Sequence, residues 1–192
     1  MKTKRLLLIL LLLLPFTALL QAQTQKASVE KSMYGVQAGL LGVWAHNESK
    51  LSNTIVLRTE LGLDGNIWNH YYYDNAAFLL VPALTVEPRW YYNLSKRLDK
   101  SKRIDGNSGN FVSLKITHHP DWFVIGDPKS SDLISDISFR TMWGIRRNIG
   151  NHFNYEAITG LSYYYALDEE VTYNDDAVVI FFTFSFKVGY RF

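Results

Sequence analysis

Hydrophobic side chains recur at every second position along most of this chain, the period of a strand whose alternate residues point to opposite faces. The cleanest run closes the sequence. Val178, Ile180, Phe182, Phe184, Phe186, Val188, Tyr190 and Phe192 share one face, and Thr183, Ser185, Lys187, Gly189 and Arg191 share the other. Six earlier segments repeat the alternation. Tyr34, Val36, Ala38, Leu40 and Trp44 oppose Gly35, Gln37 and Gly39, and Ile55, Leu57, Thr59, Leu61 and Leu63 oppose Val56, Arg58, Glu60 and Gly62. Between about residues 77 and 93, Leu84, Val86, Trp90 and Tyr92 oppose Thr85, Glu87, Arg89 and Tyr91. Val112, Leu114 and Ile116 then face away from Ser113, Lys115 and Thr117. Ile137, Phe139, Thr141, Trp143 and Ile145 oppose Ser138, Arg140, Gly144 and Arg146, and Phe153, Tyr155, Ala157, Leu161 and Tyr163 oppose Asn154, Glu156, Gly160 and Ser162.

The second face decides between two all-β classes. A water-soluble barrel turns its apolar face inward and covers the other with Lys, Glu, Asp and Thr. Here the second face carries Gly, Ser and Thr with a few charges, which suits a narrow lumen where bulk is limited. Trp44, Trp90, Tyr92, Tyr155 and Tyr163 stand near segment ends on the apolar face, where the aromatic girdles of membrane interfaces belong. The pattern therefore predicts a transmembrane, antiparallel, up-and-down β-barrel with lipid outside. A soluble periplasmic lipocalin-like carrier is the alternative. Single-chain bacterial barrels have an even number of strands, so about eight are expected although seven segments are legible. The missing one is sought in Thr24–Met33 or in a hidden turn at His119-Pro120-Asp121.

The N-terminus matches this destination. Lys2, Lys4 and Arg5 precede the apolar run Leu6–Leu14, Pro15 interrupts it, and small or polar residues follow through Ala22 and Gln23. That is the layout of a secretory signal peptide, and the stretch falls short of the roughly 20 residues a spanning helix needs. Residues 1–23 are expected to be a cleaved signal and 24–192 the barrel. With its three cations removed, 17 basic residues face 18 acidic ones, so the pI of 8.7 does not point to nucleic acid. There is no cysteine, which excludes a lipid anchor at cysteine and a disulfide framework. Aromatic residues make up 15%, an excess suited to membrane interfaces.

If lipid meets the apolar faces, the lumen collects Arg58, Glu60, Glu87, Arg89, Lys115, Arg140, Arg146, Glu156 and Lys187. The interior of an eight-stranded barrel is just wide enough for side chains to fill it. These charges are expected to pair as a structural plug, with Arg supplying its bidentate fork. A gated narrow pore is the functional counterpart. Catalytic chemistry has little support. His118 and His119 with Ser130 or Ser131 could be read as the His–Ser pair of a lipid-A-modifying barrel enzyme, but the two histidines are more simply rim residues beside Pro120. The histidines at 46, 70, 118, 119 and 152 lack zinc spacing. Asp168, Glu169, Glu170, Asp175 and Asp176 lack the glycine-centred calcium loop, so they read as a solvated acidic loop. Lys96, Arg97, Lys100, Lys102 and Arg103 read as a solvated turn. No phosphate-cradling glycine loop occurs. No catalytic residue, metal or cofactor is expected.

The stretches E-P-R-W-Y-Y-N (Glu87–Asn93), N-S-G-N-F (Asn107–Phe111), H-P-D-W-F (His119–Phe123) and W-G-I-R-R-N-I-G-N-H-F-N-Y-E (Trp143–Glu156) join the signal and the Phe-terminated strand. Together they resemble the small outer-membrane β-barrel proteins of Bacteroidota in the broad OmpA/OmpX-like group. The resemblance covers nearly the whole mature chain. It implies location in the cell outer membrane, contact with outer-membrane lipid and lipopolysaccharide, and insertion by the barrel-assembly machinery through Phe186, Val188, Tyr190 and Phe192. It carries over no catalytic residue. With Phe192 on the periplasmic side, 64–76, 118–135 and 167–177 are expected outside, and 94–110 and 147–151 inside. The expected role is structural, surface-interacting or narrow-pore.

Overall fold

The computed structural model describes residues 27–68, 77–126, 135–167 and 178–192. Eight strands form a closed antiparallel barrel in sequence order. They are β1 (Ser32–Gly39), β2 (Gly42–Lys50), β3 (Ile55–Trp68), β4 (Ala77–Tyr91), β5 (Asn110–His119), β6 (Asp136–Ile149), β7 (Phe153–Ala166) and β8 (Val178–Arg191). Each pairs with its sequence neighbour, and β8 returns to β1 through Gly35↔Arg191 to Gly39↔Lys187. Where β8 meets β1, closure pairs backbone groups that an open sheet would leave at its edges.

The eighth strand lies where the sequence reading saw one. The segment from Tyr34 to Trp44 is a hairpin, β1 and β2, joined by Leu40 and Leu41 between the paired Gly39 and Gly42. Of Thr24–Met33, residues 24–26 lie outside the described residues, 27–30 are irregular, and Ser32 and Met33 begin β1. His119-Pro120-Asp121 ends β5, and among the described residues beyond it and before β6 there is no strand but a single bridge, Leu80↔Ile125. The turn was hidden because its two residues are leucines, which kept the hydrophobic run unbroken through the bend. A two-residue turn also reverses parity. Trp44 pairs with Gln37, so it shares the inner face, and it is only 7% exposed. It is a lumen residue, not part of an outer girdle.

Gly42 makes this turn possible. Its φ is +140°, and a Cβ there would lie 2.2 Å from the Leu63 carbonyl oxygen. Gly42→Ala is therefore expected to cost more than about 1 kcal/mol, read as a lower urea midpoint of the refolded protein.

The wall is inverted relative to a water-soluble protein. Phe184 is 72% exposed and Leu61 59% exposed on the outer face, whereas Glu48, Arg58, Glu87, Arg146 and Glu156 are fully buried inside. At one end an apolar floor of Val56, Tyr91, Leu94 and Phe111 closes the lumen, with Ala27 and Val29 packed into it. Glycine makes room there, since the Phe111 ring lies 2.4 Å from where a Gly144 Cβ would stand.

Candidate functional site

Alternation places one polar residue in the lumen at every second position, and closure brings six of them from five strands into one cluster. Arg58 on β3, Arg89 on β4 and Arg146 on β6 meet Glu48 on β2, Glu87 on β4 and Glu156 on β7. Oε1 of Glu48 accepts from Nη1 of Arg146 at 2.8 Å, of Arg58 at 2.9 Å and of Arg89 at 3.4 Å. Arg89 forks onto both oxygens of Glu87 at 2.9 and 3.0 Å, reaches Glu156 at 3.0 Å, and lies 4.3 Å from the centre of the Phe111 ring. Three cations face three carboxylates, the balance that buried charges require.

Glu60 links this cluster to a second compartment nearer the other end. Its Oε1 accepts from Arg58 Nε at 2.5 Å, and its Oε2 accepts from Lys115 Nζ at 2.7 Å. Lys187 stands 3.9 Å from Glu60 and 3.9 Å from the Trp44 ring centre, a cation–π contact. Arg140 differs from the other lumen charges. No carboxylate lies within 4.0 Å of it among the described residues; its Nη2 donates to the Tyr164 hydroxyl, and its guanidinium lies 5.3 Å from that ring's centre. At the rim, His119 bridges Asp136 at 2.8 Å and Asp64 at 3.1 Å, and Trp44 Nε1 donates to Asp64 at 2.5 Å.

Of the lumen charges the sequence singled out, Arg58, Glu60, Glu87, Arg89, Lys115, Arg146, Glu156 and Lys187 thus join one continuous set of ion pairs. Glu48, which accepts a hydrogen bond from each of the three arginines, was missed. Its signal was the alternation Trp44, His46, Glu48, which becomes visible only when β2 is separated from β1. Phe186, Val188 and Phe192 are exposed on the outer face of β8, and Tyr190 packs edge-on against Phe153 and Phe192.

The link from β4 to β5 is built, not merely solvated. It contains a short helix, α1 (Leu94–Leu98), and a tight turn at Asp105–Asn107. Asn107, fully buried with φ +57°, donates to Glu48 Oε2 at 2.6 Å and accepts from the Glu30 N–H at 2.8 Å. Asp105 accepts from Arg103 and from Arg191, each at 2.8 Å, tying the link to the end of β8. The hydrogen bond from Arg103 is the main cause holding the Asp105 carboxyl below the usual aspartate range. A depressed folded value means that the tie stabilises above the unfolded value of about 3.9 and is lost only as pH falls through the lower folded one. Asp105→Asn is expected to speed amide exchange across 94–109 at neutral pH while the urea midpoint barely moves.

Both ring nitrogens of His119 are engaged by carboxylates, which leaves none to take a proton from a hydroxyl. His118 Nδ1 lies 3.1 Å from the Asp136 carbonyl oxygen. Ser130, Ser131 and the acidic residues 168–176 lie outside the described residues. Among the described residues no group of three or more His, Asp or Glu side chains is arranged to hold a metal ion.

No known family matches the chain, and no curated protein matches it. Among solved structures, the barrel is similar to the crystal structure of the N-terminal β-barrel domain of Pseudomonas aeruginosa OprF. The TM-score is 0.44 and the identity 10%, over 85% of this chain and 98% of that one.

Proposed function

We propose that this chain is an exported, integral outer-membrane β-barrel with a structural role and a lumen closed by ion pairs. The observation that carries this reading is the inverted wall: a charge-balanced, fully buried cluster inside and an apolar face outside. Water offers no reason to present Phe182, Phe184 and Leu61 outward while burying three arginines; a bilayer does. In this reading residues 1–23 are the signal, the barrel sits in outer-membrane lipid beside lipopolysaccharide, and the assembly machinery engages β8 through Phe186, Val188, Tyr190 and Phe192. The likeness to the Bacteroidota barrel group belongs to the same proposal, as does a non-enzymatic role.

The test is heat-modifiable gel migration of the outer-membrane fraction. A faster-migrating unheated band in that fraction is expected, and recovery in soluble periplasm would overturn the assignment. Planar-bilayer recordings of the purified protein should show no steady conductance, because Arg58, Arg89 and Arg146 fill the lumen cross-section with their carboxylates. Discrete, frequent openings would instead mark a pore.

A further inference from the structure

The barrel wall has unequal height. β1 and β2 are 8 and 9 residues long, whereas β3, β4 and β8 have 14, 15 and 14. β8 pairs with β1 only from Lys187 to Arg191, so among the described residues its Val178–Phe186 edge has no partner on that side. β3 pairs with β2 only as far as Asp64, and Gly65 donates once more to the Leu41 carbonyl at 2.8 Å. The low β1–β2 hairpin therefore leaves a notch in the wall between β3 and β8.

Depth places the notch at the level of lipid. About 9–11 tilted strand residues cross a bilayer, and the outer face of β8 is apolar from Phe192 through Val188, Phe186, Phe184 and Phe182 to Ile180. The part of β8 from Phe186 to Phe182 thus stands in the upper half of the apolar band. Unpaired backbone is tolerated at that depth only where it is buried in protein or lines a water-filled cavity.

A cavity is present. About 560 Å³ opens above Trp44, and its lining joins the two sides of the wall: Lys187, Lys115 and Arg140 inside, Leu40, Leu41 and Phe184 at the notch and outer face. The inner part sets these three cations beside Asp64 and Asp136, whose carboxylates His119 already engages, and two of the cations are incompletely paired. Lys187 is only 5% exposed, yet among the described residues its Nζ has no hydrogen-bond acceptor and shares Glu60 with Lys115. Arg140 stands directly across from Lys115 in the sheet, a like-charge pairing that is unfavourable by itself. The Nε of Arg140 is buried without a partner.

We propose that this notch admits a single-chain anionic amphiphile from the bilayer, a long-chain carboxylate. Its head group takes the hydrogen bonds that Lys187 and Arg140 leave open, and its chain leaves through the notch over Leu40, Leu41 and Phe184. The size falls within the range of sites that enclose a small ligand. The carboxylate answers the second of the two lysines that share Glu60. This inference rests on the membrane reading above.

The test uses the full mature chain refolded in detergent, with Trp44 as the reporter and 9,10-dibromostearate as the quenching probe. Saturable quenching is expected, and it should disappear from the Trp44→Phe protein. Lys187→Gln and, separately, Arg140→Gln should each weaken binding about tenfold or more, the size of a lost charged hydrogen bond. Stearate should compete, whereas octadecanol, with the same chain and no charge, and acetate, with the charge and no chain, should not. Non-saturable quenching, or equal competition by octadecanol, overturns the proposal. Each protein is first checked for heat-modifiable migration. If the parent protein lacks it, the membrane reading fails; if the parent has it and no saturable binding follows, this inference alone fails. Using two head-group variants keeps the test decisive if one of them does not fold.

Discussion

Replacing Glu48 with alanine is expected to remove about 3–5 kcal/mol of stability, the usual cost of deleting one partner from a buried ion pair. Glu48 is the common acceptor of Arg58, Arg89 and Arg146, and its second oxygen also receives Asn107. Without it, three fully buried guanidinium groups share the carboxylates of Glu87, Glu156 and Glu60, and the link from β4 to β5 loses its deepest attachment. The urea midpoint of the protein folded into vesicles measures the loss. Arg146→Ala, combined with Glu48→Ala, removes one surplus cation together with the carboxylate. The double variant should therefore lose less than the sum of the singles, with a coupling of roughly 0.5–3 kcal/mol. A Glu48→Ala loss below about 1 kcal/mol, within the ordinary spread for point substitutions, would mean that the cluster does not hold the barrel closed.

The second large effect tests which solvent the outer face meets. Leu61→Arg, in the middle of β3 and facing outward, should cost about 2–4 kcal/mol in a bilayer, while Tyr34→Arg, near the start of β1 beside Phe192, should cost about 0–1. The contrast follows from depth. At mid-wall an arginine has hydrocarbon on every side, whereas at the edge it reaches head groups and water. In a water-soluble barrel both substitutions would fall within about 0.5 kcal/mol, because both positions are exposed already. Equal small losses at the two sites, measured in vesicles by the same urea titration, would remove lipid from the outer face.

Much of this architecture was legible before any coordinates. That Phe184 and Leu61 face outward while Arg58 and Lys187 face inward follows from parity within each strand together with the sparse, small-residue second face, and the expectation that lumen charges find partners follows from the narrow interior. What went astray did so for one local reason. Leu40 and Leu41 make a turn from residues that normally extend a strand, so parity reversed unseen. Trp44 was placed on the wrong face, the eighth strand went unplaced, and Glu48 fell beyond the end of the segment as drawn. The Asn107 contact was hidden differently. It depends on a left-handed backbone residue in a link that composition marked only as polar.

The period-two pattern determined that this chain makes strands with one apolar and one polar face, because side-chain alternation is a property of each strand by itself. The composition of the polar face, small residues with sparse charges, already pointed to a narrow, enclosed interior. Tertiary structure alone decided which charges meet. Glu48 reaches Arg146 across 98 positions of sequence because closure and register set distances that no local period encodes. It also decided the unequal height of the wall. A short hairpin beside two long strands is unremarkable along the sequence, and it becomes a notch only when β8 closes onto β1.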